Sequence, residues 1–138
     1  MAVFGAPDPS PDHARSAIQA AHDMHLRQRA LDDEWAQHGL APFGLGIGLS
    51  TGEVAAALLG SDERVEYTLV GDTVNLAQRM QDLARPSGTV AAEATVVAAS
   101  SPSSPASPAA PSWPWKPLGP RQVKGRSTPV NAYHLEVS

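Results

Sequence analysis

Hydrophobic and polar positions change their period along this chain, and the clearest change falls near its middle. Residues 65–70 (VEYTLV) alternate apolar and polar side chains and are rich in β-branched and aromatic types, which predicts a half-buried strand. Gly71 lets the backbone turn, and Asp72 stands where an N-cap carboxylate accepts bonds from the free amides of a first helical turn. Over residues 73–84 the period lengthens. Leu76, Met80 and Leu83 recur at i, i+4 and i+7, which predicts a helix with one buried stripe. Asn75 and Arg79 are also four apart, so they share a face beside that stripe.

Upstream, residues 1–4 form a short apolar strand candidate ending at Gly5, and a loop follows over 7–11. Ser10 as N-cap and Pro11 at the first helical position then open a long helix, because the amide that proline lacks is unsatisfied there anyway. Ile18, Ala21, Met24, Leu31 and Trp35 supply its predicted stripe, and Gly39 its stop. The next strand, residues 45–51, is interrupted by Gly46 and Gly48, a sign of close backbone approach, and residues 54–59 are apolar and small. Downstream of the central helix, the turn Ser87-Gly88 leads to a short strand over 89–92 and a short helix over 93–99. A final strand pair, 117–124 and 130–137, is joined by a loop over 125–129. With 138 residues the chain is one domain at most.

Composition changes this picture in two places. The hydrophobic share is 42%, much of it alanine, which buries little area per residue, so the expected core is thin. Between roughly residues 100 and 116 the chain turns Pro/Ser/Ala-rich, and Pro102, Pro105, Pro108, Pro111, Pro114, Pro117 and Pro120 recur at every third position. That period matches polyproline II, a rod of about 3.1 Å per residue, and reads as an insert or linker, with a docking ligand as the alternative. A formal charge of −4 argues against a general nucleic-acid or anionic-membrane binder. No apolar run approaches the ~20 residues that span a bilayer, and no basic-then-apolar leader opens the chain. Zero cysteines exclude disulfides and thiolate zinc sites and fit a cytoplasmic protein.

Two clusters invite a chemical reading. His13, His22, His25 and His38 lie on the first long helix, with His22 and His25 at i, i+3, but nothing else nearby supplies metal ligands and a plain amphipathic helix is the better account. Asn75 and Arg79 are different, because a guanidinium offers a planar fork of donors, charged at any physiological pH, that suits an anionic ligand. From spacing alone such a pair also fits an ordinary solvated helix face.

The strings around that pair decide between these readings. GIGLSTGEV at 46–54, GSDERVEYTLVGDTVNLAQRM at 60–80 and PLGPRQVKGRSTPVNAY at 117–133, with MAVFGAP at 1–7, stand in the order found in class III nucleotidyl cyclases, whose catalytic domains this chain resembles. The resemblance implies a ferredoxin-like α+β fold, here missing its first strand or strands and a helix. It implies conversion of ATP to cyclic AMP and pyrophosphate at the interface of a head-to-tail dimer, with Mg2+ or Mn2+. Asn75 would orient the ribose, Arg79 would stabilise the charged phosphorus centre, Lys124 would hold the terminal phosphates, and Thr68 would read the purine. Threonine there resembles the bacterial adenylate cyclases, so ATP is expected ahead of GTP. Asp8 and Asp12 are rejected as metal ligands, since they lie in a helix-start loop and helix capping explains Asp12. The two metal-binding aspartates of the family have no counterpart, so the expectation is a chain inactive alone. Its partner is either a second copy or another cyclase domain whose site it completes as a pseudo-cyclase; a gene remnant is the third reading.

Overall fold

A computed structural model describes residues 1–6, 8–61, 64–100, 113–123 and 125–136, with side chains left out over 56–68. The element order is α1 (His13–Gln37), β1 (Gly46–Leu49), β2 (Ala55–Ser61), β3 (Arg64–Val70), α2 (Asp72–Leu83), β4 (Gly88–Ala92), α3 (Glu93–Ser100), β5 (Trp115–Arg121) and β6 (Val130–Leu135). Four strands form one sheet in the order β1-β4-β6-β5, in which β1 and β4 run parallel and the other neighbours antiparallel. β2 and β3 form a separate antiparallel ribbon, in register from Ala55 opposite Val70 to Ser61 opposite Arg64. The α+β class is as expected.

Helices cover both faces of the sheet. On one side Leu76 and Met80 of α2, with Ala84 just after it, pack with Val90, Ala92, Ala132 and Val123. On the other, Ala14 and Ile18 of α1 and Ala99 of α3 pack with Leu135, with Leu49, Trp113 and Trp115 against them. Strand neighbours point to opposite faces, so β4, covered on both, shows no apolar-polar alternation: Thr89, Val90, Ala91 and Ala92 are all buried. Half of the buried hydrophobic residues among those described are alanines, which accords with a thin core.

Gly48 shows why β1 is glycine-rich. A Cβ placed there would lie 2.1 Å from the Ala77 carbonyl oxygen and 2.2 Å from the Gln81 amide nitrogen, so α2 sits directly on the strand backbone. The tryptophans of the proline-rich tract turn inward as anchors, Trp113 meeting the His22 ring at a centroid distance of 5.6 Å. Pro117 and Pro120 lie in β5, an edge strand, where a missing amide costs no ladder bond on the solvent side. A polyproline rod therefore does not extend to Pro120; residues 101–112 lie outside the described residues.

Several local expectations are corrected. Residues 1–4 pair with no described strand and leave Met1, Val3 and Phe4 exposed, because apolar content makes a strand only where a ladder partner is available. α1 begins at His13 rather than after Ser10, with Asp12 as N-cap residue but without a side-chain cap bond. Its buried stripe is Ala14, Ile18, Ala21 and His25, while Met24 and Leu31 are exposed and Trp35 instead meets Phe43 edge-on. After Leu76 and Met80 the next buried position is Ala84, the C-cap of α2, and not Leu83, which is 38% exposed. Asp72 is the first helical residue and Gly71, at φ 145°, is the N-cap; no side-chain cap bond forms.

Candidate active site

The site is built on α2 and on the segments that touch its first turns. Ser50 Oγ donates to the Thr73 carbonyl at 2.5 Å, and Thr73 Oγ1 donates to the Glu53 carbonyl at 2.9 Å, which pins the loop after β1 to the start of the helix. Leu76 and Met80 enter the core, and this fixes the helix rotation. Asn75 and Arg79, one residue before each, are therefore turned outward. Both are exposed.

Arg79 faces Asp82 at 3.8 Å, beyond hydrogen-bond length, so its guanidinium donors remain available to a ligand. Among the described residues the Asn75 side-chain amide has no partner. An outward amide and guanidinium one helical turn apart can grip a hydroxyl and an anionic oxygen of one ligand together. The pairing expected from spacing is thus present in three dimensions.

A second contact was not legible beforehand. The Arg126 guanidinium forms an ion pair with Asp72, 54 residues earlier, at the first turn of α2. Val123 is buried in the core cluster that holds Leu76 and Met80, and the Arg126 amide donates to the Val123 carbonyl at 3.1 Å. The loop after β5 is thereby tied to the helix of Asn75 and Arg79. Lys124 falls between these two anchors in sequence but lies outside the described residues. Thr68 is placed by its backbone only, on β3 opposite Ala57, two residues before the strand ends and four before α2 starts.

Asp72 is engaged by Arg126, and Asp82 stands between Arg79 at 3.8 Å and Arg85 at 3.9 Å. Among the described residues no three His, Cys, Asp or Glu side chains converge as a metal cluster. Asp12 faces Arg15 at 3.7 Å. His25 bonds Thr89 and His22 meets Trp113, so both serve packing.

A family model for the adenylate and guanylate cyclase catalytic domain matches residues 1–136. The chain belongs to this family. Adenylate cyclase 1 of Rhizobium meliloti is 32% identical over 136 residues, which is 98% of this chain and 19% of that protein. Among solved structures, the guanylyl cyclase Cya2 is 30% identical with a TM-score of 0.75, covering 96% of this chain and 62% of that one. The adenylyl cyclase CyaB from P. aeruginosa, 24% identical, shares the fold with a TM-score of 0.81 over 98% of this chain and 65% of that one. The cyclase chain thus spans about a fifth of its curated relative and somewhat under two thirds of the solved cyclase chains. Its four-stranded sheet and three helices are the class III cyclase fold. No described helix is long and apolar enough to cross a membrane.

Proposed function

We propose that this cyclase chain supplies the transition-state half of a composite site that converts ATP to cyclic AMP and pyrophosphate between two protomers. The observation that carries the reading is the outward pair Asn75 and Arg79 on α2, free of strong internal partners among the described residues. In the reaction the ribose 3′-hydroxyl attacks the α-phosphorus in line and pyrophosphate leaves, so charge spreads over the transferring oxygens. Arg79 stabilises that charge, and Asn75 holds the ribose so that the attacking oxygen is aligned. Lys124 is assigned the terminal phosphates, and Thr68 the reading of the purine. ATP is preferred to GTP on the threonine at position 68; relatives carry both adenylyl and guanylyl names, so the preference rests on that residue.

Asp72 at the start of α2 is engaged by Arg126, which favours a partner that brings the groups for Mg2+ or Mn2+. With another cyclase domain it completes one site of a heterodimer, in the cytoplasm. The test mixes it with a cyclase domain that keeps its metal ligands but has its own Asn and Arg of this motif replaced by alanine, and assays cyclic AMP from ATP and manganese. Activity found only in the mixture and lost with Arg79→Ala supports the reading. Silence from a soluble chain, when an intact domain rescues the same partner, leaves a remnant.

A further inference from the structure

Asn75 stands in the first turn of α2, just before Leu76, the first residue of that helix to enter the core. Arg79 lies between Leu76 and Met80, so burial on both sides fixes its place. The first turn has less to hold it. Helix starts fray where their amides are uncapped, and the N-cap Gly71 supplies no side-chain bond. The amides of Val74 and Asn75 reach the Gly71 carbonyl only at 3.2 and 3.4 Å, at and beyond the usual upper limit. The Asp72 side chain is 63% exposed, and ion pairs in such settings add little.

The loop after β1 supplies the hold instead. Thr73 Oγ1 donates to the Glu53 carbonyl at 2.9 Å, while the Ser50 hydroxyl donates to the Thr73 carbonyl. Thr51 Oγ1 lies 2.8 Å from Oγ1 of Thr95, a buried residue of α3, so the loop that grips Thr73 is itself fastened to a second helix. Gly52 makes room for the grip, since a Cβ there would come within 2.6 Å of Thr73 Oγ1. Thr73 is thus held at its hydroxyl and its carbonyl, two residues before Asn75.

We propose that Thr73 is a positioning residue whose hydroxyl clasps the first turn of α2 to the loop after β1 and so sets where the Asn75 amide meets the ribose. This rests on the function proposed above. Thr73 itself touches no substrate. Loss of the clasp loosens Asn75 and leaves Arg79, which the core holds, in place. Alignment of the attacking oxygen then suffers while ground-state binding is kept.

In the heterodimer assay, Thr73→Val lowers kcat at least about tenfold while the KM for ATP changes less than about threefold. Thr73→Ser, which keeps the donor, recovers most of the loss. In an Asn75→Ala background Thr73→Val costs nothing further, because the group it positions is gone; in an Arg79→Ala background its cost is undiminished. No loss in Thr73→Val, a loss confined to KM, or equal costs in the two backgrounds overturns the inference. If the unsubstituted chain fails to complement, the proposed function has failed, and amide hydrogen exchange on the chain itself decides the clasp. Exchange at Val74 and Asn75 then rises at least about tenfold in Thr73→Val with Met80 unchanged; no rise there, or an equal rise at Met80, overturns it.

Discussion

The Nε2 atom of His25 lies 2.8 Å from the Oγ1 atom of Thr89, joining the inward face of α1 to the second residue of β4 with both side chains buried. Burial lowers the His25 pKa below its ordinary 6.5, against a bond with the Gly88 backbone that raises it; Arg29, His22 and His134 add smaller repulsions that also lower it. The neutral ring is therefore the folded form. Above 6.5 neither state protonates it and its contribution is complete; as pH falls through 6.5 the unfolded state takes up the proton first, and stability drops until the lowered folded value is passed. Urea unfolding at pH 7.5 and 5.5 is expected to show a loss on acidification that is smaller in His25→Gln. Thr89→Val, which leaves the imidazole without its hydroxyl partner, should cost about 1–3 kcal/mol at pH 7.5.

The contact between β1 and α2 predicts that neighbouring glycines differ sharply. Gly48→Ala drives a methyl into the backbone of Ala77 and Gln81, which cannot rotate away, and should destabilise by about 3 kcal/mol or prevent folding. Gly46→Ala meets its nearest atoms at 3.7 Å, an ordinary contact, and should change the unfolding midpoint little. Thermal unfolding of the two variants side by side checks this.

Met80 and Leu83 test which row of α2 is the buried one. Met80 is fully buried and Leu83 is 38% exposed. Met80→Ala should cost about 2–5 kcal/mol in urea unfolding and Leu83→Ala well under half of that. Equal effects would show that the helix is rotated from the position described.

Arg79 and Asn75 should separate function from stability. The ion pair of Arg79 with Asp82 is exposed, so Arg79→Ala and Asn75→Ala are each expected to shift stability by less than about 1 kcal/mol. In the complemented assay each should lower cyclic AMP formation by at least about a hundredfold, the order seen when one preorganised transition-state donor is removed. A variant that unfolds, or one that keeps full activity, would remove that residue from its proposed role.

The elements with strong local periods were readable before any coordinates. β3, α2, β4, α3 and the β5–β6 pair lie within a few residues of their expected positions, because alternation and 3.6-residue spacing report burial directly. α1 was readable as a helix but not in its facing. Alanine and histidine line its inner side while Met24 and Leu31 stay outside, since a helix packed close to a sheet and to α3 accepts small side chains and a bonded imidazole there. Asn75 and Arg79 were legible as a pair because four residues is a spacing within one helix. Asp72 looked like a cap because capping is also local; its real partner is Arg126, 54 positions away.

The sequence by itself therefore determined the family, the order of strands and helices, and the outward pair on α2, all of which depend on residues a turn or a strand step apart. Tertiary structure alone decided which face of α1 is buried, which glycine in β1 carries the weight of α2, and that the loop after β5 is fastened to the helix that opens with Asp72. Those relationships join atoms distant in the chain. Their strength comes from burial and charge proximity, which no local period encodes.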